Sequence, residues 1–136
     1  MTSAPPPGPR SPVVLYLEDS ADNVLLVERL LRRRGGTELR VADNARDGLA
    51  AVSDERPDLI LLDNHLPDAT GEDVLRALNA SASTAGIPVI IVSGDSARES
   101  ADQLHAAGAD EILIKPFNIH EFLTIVGRYL PEPAGP

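Results

Sequence analysis

The 136 residues contain no cysteine and no tryptophan. Without cysteine there is no disulfide framework and no thiolate metal site. Aromatic residues make up only 3% of the chain, so its core must be built from Leu, Ile, Val and Ala. No apolar run approaches the ~20 residues a membrane helix needs. The N-terminus has neither the basic start nor the apolar centre of a secretory signal. A cytoplasmic chain that engages no membrane is expected. The net charge of −9 leaves little positive surface for nucleic acid. The one basic run, Arg32-Arg33-Arg34, falls where a helix should end, a place that suits cations. Lysine is the scarcest charge: eleven arginines stand against Lys115, in "ILIKPF".

Length predicts one domain with a real core. Residues 1–12, "MTSAPPPGPRSP", are rich in Pro, Gly and Ser and read as a disordered arm, as does the tail 131–136. The folded part is then 13–130. Within it lie four short apolar runs, "VVLYL" (13–17), "LILL" (59–62), "VIIV" (89–92) and "ILI" (112–114). Such runs suit strands covered on both faces. A fifth segment, "TELRVAD" (37–43), alternates and reads as an edge strand. Helical patterns fill the gaps. Ser20 can cap a first helix that turns Val24, Leu25, Val27, Leu30 and Leu31 inward and stops at Gly35-Gly36. Others are expected over 44–54, with Leu49 and Val52 inward, then 72–79, 97–107 and 119–130, the last with Phe122, Val126 and Tyr129 inward. Five β-α repeats predict an α/β, flavodoxin-like, doubly wound (βα)5 fold with a five-stranded parallel sheet in the order 2-1-3-4-5.

That order gives the strand ends meaning. The first strand ends in Glu18-Asp19, the third in Asp63, the fourth in Ser93-Gly94 and the fifth in Lys115-Pro116. All lie on one edge, with strands 1 and 3 adjacent at the switch point where ligands bind. Three clustered carboxylates repel one another and call for a cation. Oxygen donors alone favour a hard ion, Mg2+ foremost. With a lysine beside it, such a site has the positive charge that phosphoryl transfer to a carboxylate requires. Taken singly, each residue has a plainer reading: an Asp after a strand caps a turn, Ser93 caps a helix, Lys115 is a solvated amine. It is their conjunction on one edge that points to chemistry.

The pieces "YLEDSADN", "PDLILLDNHLPDATG", "IPVIIVSG" and "GADEILIKPF", in this order and at these spacings, resemble the receiver domains of two-component response regulators. The resemblance covers nearly all of 13–130. It implies that Asp63 accepts a phosphoryl group from a histidine kinase or phosphotransfer protein. It implies Mg2+ held by Asp19 and Asp63, by Glu18 mainly through water, and by the backbone carbonyl of His65. Ser93 and Lys115 would bind phosphoryl oxygens, and the Lys115-Pro116 bond would be cis. The chain resembles a single-domain, chemotaxis-regulator-like receiver. It would be a switch of partner binding rather than an enzyme, or a shuttle or sink in a phosphorelay. Its readout would be the face formed by the fourth helix, fifth strand and fifth helix, with a homodimer through that face as one form. The imidazole of His65 would point to solvent, and it and Asp95 would tune the lifetime of the phosphorylated state.

Three positions depart from the commonest pattern of the family. Glu18 stands for an Asp, Leu66 for a Met, and Ile112 for an aromatic that usually swings inward with the hydroxyl, so another readout is needed. A Mg2+-dependent phosphohydrolase would want an acid where His65 stands, and a substrate cap. A flavodoxin-like cofactor binder would want a phosphate loop where "EDSADN" is acidic. A non-phosphorylated pseudo-receiver would not be expected to fill all five site positions.

Overall fold

Each apolar run becomes a strand. In the computed structural model, which describes residues 11–94 and 96–131, these are β1 (Val13–Leu17), β2 (Glu38–Ala42), β3 (Leu59–Leu62), β4 (Val89–Ser93) and β5 (Glu111–Ile114). They pair in parallel in the order β2-β1-β3-β4-β5, as expected. Between them lie α1 (Ala21–Arg34), α2 (Ala45–Asp54), α3 (Gly71–Asn79), α4 (Ser96–Glu99), α5 (Ala101–Ala107) and finally α6 (Ile119–Gly127). Of the expected arm and tail, only Ser11, Pro12 and Pro131 are among the described residues.

The continuous apolar strands follow from burial on both faces. Leu15 and Leu17 enter one cluster with Val52, Leu62, Leu75, Ile91 and Leu104, under α2, α3 and α5. Val14 and Tyr16 enter the other, with Val27, Leu31, Leu61, Ile90 and Phe122, under α1 and α6. Successive residues of one strand therefore serve opposite layers. Leu61 and Ile90 are fully buried, and truncating either to Ala should cost ~2–5 kcal/mol.

The helix starts follow their caps. Ser20 accepts from the amide of Asn23, Asn44 from that of Asp47, and Thr70 and Asn118 form capping boxes with Asp73 and Glu121. Gly35 and Gly36 end α1 with φ of 77° and 73°, a region that favours glycine.

Three expectations need correction. The helix expected over 97–107 is two pieces, because Ser100 leaves helical geometry (φ −98°, ψ 9°) and its side chain caps nothing. The last helix stops at Gly127, and residues 128–130 continue as a tighter turn, with Arg128 and Tyr129 amides bonding three residues back to Ile125 and Val126. Leu25 is not inward: it is 44% exposed, beside Leu26 at 47%. The run "VLLV" supplies more apolar residues than one face of α1 can bury.

Candidate functional site

Backbone ladder bonds run one step past the strands and set the site's frame. The amide of Glu18 donates to Ala42 (2.9 Å), that of Asp63 to Leu17 (3.0 Å) and that of Lys115 to Ser93 (2.7 Å). Residues that look like loop in the sequence are thus tied into the sheet's hydrogen-bond ladder. The Lys115-Pro116 bond is cis, as expected.

On this frame Glu18, Asp19 and Asp63 converge. Each offers a carboxylate oxygen within 4.8 Å of the others. Glu18 and Asp63 are buried, at 2% and 8% exposure, while Asp19 opens to solvent. The hydroxyl of Ser93, itself buried, donates to Asp63 Oδ1 (2.9 Å). Lys115 Nζ donates to Glu18 Oε1 (3.0 Å), so the chain's only lysine neutralises the first acid rather than the third.

The two buried acids are driven apart. Burial pushes the Asp63 carboxyl above its ordinary range, the negative charge of Glu18 pushes it further, and the Ser93 hydroxyl offsets part of this. Burial also acts to raise Glu18, but hydrogen bonds from Lys115 and Tyr16 outweigh it and hold that carboxyl below its usual value. Glu18 is therefore the settled anion and Asp63 the one short of compensation. A set of oxygen donors with one acid left uncompensated fits a hard divalent cation.

The turn after β3 is pinned at several points. The amide of Gly71 donates to Asn64 (2.9 Å) and that of Leu66 to Ala69 (3.0 Å). A Cβ on Gly71 would lie 2.7 Å from Asn64 Oδ1 and 3.2 Å from its Cα, so a larger residue would have to displace the Asn64 side chain for α3 to start this close. His65 is exposed, as expected of its imidazole, and its amide approaches Asp63 Oδ1 at 3.4 Å. Asp68 reaches across the sheet edge to accept from Ala45 and Arg46, the first amides of α2, at 2.8 and 3.0 Å. Those two bonds hold its carboxyl below the usual range. Asp95 lies outside the described residues.

Sequence reasoning missed Tyr16, Asn23 and Asp68. Tyr16 stands two before Glu18 and so on the same strand face, a clue that was present in "YLE". Asp68 acts across 23 residues of sequence and leaves no local signal.

Residues 14–127 match the model of the response regulator receiver domain. The chain belongs to that family. Among its curated relatives is the transcriptional regulatory protein PrrA of Mycobacterium tuberculosis, 37% identical over 126 residues, which are 90% of this chain and 52% of that protein. The chain thus spans about half the length of the first curated relatives it matches. The polar-differentiation response regulator DivK of Brucella anthropi is 28% identical over 119 residues, 88% of this chain and 96% of its own. Among solved structures, the chemotaxis response regulator CheY4 of Vibrio cholerae superposes with a TM-score of 0.80 at 28% identity, over 88% of this chain and 98% of its own. The flavodoxin-like fold expected from the strand order is therefore the receiver fold of two-component signalling. Among the described residues no helix is long and apolar enough to cross a membrane.

Proposed function

We propose that this receiver domain, residues 13–130, is a phosphoacceptor switch in which Asp63 takes a phosphoryl group from a phosphohistidine on a kinase or phosphotransfer protein. The observation that carries the reading is the convergence of three carboxylates within 4.8 Å, with Ser93 bound to one and Lys115 to another. An oxygen of Asp63 attacks phosphorus in line as the bond to the imidazole nitrogen breaks, and that nitrogen keeps the electron pair and takes up a proton. Asp63 is suited to this because its charge is poorly compensated in the resting site. The Ser93 hydroxyl, freed from the nucleophilic carboxylate, donates to a phosphoryl oxygen. Lys115 leaves Glu18 to pair with another.

Asp19 and Asp63 would hold Mg2+ directly, Glu18 mainly through water, and the carbonyl of His65 would complete the protein donors. When bound, the ion neutralises the phosphoryl oxygens as charge moves across them. The movement of Ser93 and Lys115 would bias the face formed by α4, α5, β5 and α6, and so the binding of a protein target or a second copy of the chain. Ile112 packs half-buried against the α2–α3 side of the core, so no aromatic side chain swings there. His65 and Asp95 would tune how fast water removes the phosphoryl group, and the chain would act on no separate substrate. The setting is cytoplasmic.

The test is labelling with a small-molecule phosphodonor, with and without Mg2+, for wild type and Asp63→Asn. Label that requires both Mg2+ and Asp63 is expected. Equal label in the two proteins would sink the reading. For the tuning residues, His65→Ala and Asp95→Ala should change the decay of label. Unchanged decay in both would remove that part.

A further inference from the structure

Tyr16 is the one polar side chain among the buried residues of β1, and it has a single polar task. Its ring is fully buried with Val27, Leu61 and Phe122. Its hydroxyl donates to Glu18 Oε1 at 2.9 Å. A phenylalanine would fill the same space, so the apolar core does not explain the oxygen. A carboxylate offers only acceptors, so in this contact the Tyr16 hydroxyl is the donor.

The same carboxylate oxygen collects two further donors: Asn23 Nδ2 from the first turn of α1 at 3.2 Å, and Lys115 Nζ at 3.0 Å. Glu18 Oε2 accepts the amide of Ser20, at 3.3 Å, and the Glu18 carboxylate also shares a hydrogen bond with the carboxyl of Asp63. A carboxylate has about four acceptor directions over its two oxygens. Oε1 is saturated by its three donors, and Oε2, with the Ser20 amide, is the less occupied oxygen.

We infer that Tyr16 is a positioning residue of the phosphoacceptor site: its hydroxyl, reaching out of the core, fixes Glu18 so that Oε1 docks Lys115 and Oε2 is left for the cation or its water. The inference rests on the function proposed above. Its origin is the strand period. Residues 16 and 18 share a face of β1, so a core side chain can brace a site side chain across one residue. Glu18 also carries one more rotatable bond than the commoner Asp, and so has more freedom for such a brace to remove. Losing a partner that orients a metal-binding group typically costs roughly 10–100-fold in metal affinity.

The experiment is a double-mutant cycle read as Mg2+ affinity by calorimetry, on wild type, Tyr16→Phe, Glu18→Gln and the double variant. Tyr16→Phe should weaken Mg2+ binding about tenfold. In the Glu18→Gln background the same change should do much less, because the brace then has nothing to orient. Tyr16→Phe with wild-type affinity, or additive effects in the cycle, would overturn the inference and leave the proposed function intact. A wild-type chain that binds no Mg2+ would instead overturn that function, and the inference with it. Should Tyr16→Phe fail to fold, 3-fluorotyrosine labelling of the Tyr129→Phe chain leaves Tyr16 as the only fluorine reporter, since the chain has two tyrosines. Its 19F resonance should then shift on Mg2+ addition in step with calorimetric saturation. A resonance that stays still would overturn the inference.

Discussion

β3 carries an aspartate at each end, and the two have opposite surroundings. Asp58, just before the strand, exchanges two bonds with Val13: its amide donates to that carbonyl at 2.8 Å, and its carboxylate accepts that amide at 2.7 Å. Asp110, before β5, repeats the arrangement on Val89, at 2.9 Å for both bonds. On this edge of the sheet an acid satisfies the first, otherwise orphaned amide of a neighbouring strand. Asp63, just after β3, faces two other acids and takes its best bond from a serine hydroxyl. An acid whose partners are backbone amides is part of the frame. An acid whose neighbours are acids is held at a cost, and that cost is the mark of a site.

The comparison can be broken by removing charge at each end. The largest expected effect is chemical. Lys115→Ala deletes the cation of the Asp63 edge and should slow labelling by a small phosphodonor on the order of a hundredfold, read as initial rates. An unchanged rate would take the lysine out of the chemistry. Next come stabilities of opposite sign. In the presence of a chelator, Asp63→Asn relieves repulsion and should raise unfolding stability by ~1 kcal/mol. Asp58→Ala and Asp110→Ala each orphan a strand amide and should lower it by ~1 kcal/mol. Urea midpoints decide this, and shifts of the same sign would end the distinction between the edges.

The smallest effect belongs to Asp68, which stands near the site but bonds like a frame residue. Its folded carboxyl lies below the ordinary value, so its stabilising contribution is present above the unfolded carboxylate pKa of about 4. It is lost as pH falls through the lower, folded value. The stability gap between wild type and Asp68→Ala should therefore be constant from neutral pH down to about 4, shrink below that, and be gone once pH is below the folded value. A gap that persists in stronger acid would mean that packing, not charge, explains the contact.

The two acids of β3 also show how far the sequence can be read. The strands were legible because burial on both faces demands unbroken apolar runs, and their order followed from the alternation with helices. The site was legible as a conjunction of Glu18, Asp19, Asp63, Ser93 and Lys115 on one edge. Asp58 and Asp63 become distinguishable only once the edge each occupies is fixed, because both simply flank "LILL". Leu25 was misread because α1 is apolar on more than one face, and local pattern cannot choose which leucines are covered. The break at Ser100 depends on one residue's backbone angles. Asp68 acts across the sheet edge, where periodicity carries no information. The bracing of Glu18 by Tyr16 lay within three letters of sequence, yet a tyrosine in an apolar run looks like core until its oxygen is placed.

The central claim is that Asp63, alone among these acids, takes the phosphoryl group. Borohydride reduces an acyl phosphate to an alcohol and so turns a phosphorylated aspartate into homoserine. Peptide mapping of the chain reduced after Mg2+-dependent labelling is predicted to find homoserine at position 63 and unmodified aspartate at positions 19 and 58. Homoserine at 19 or 58, or at none of the three, would contradict the account.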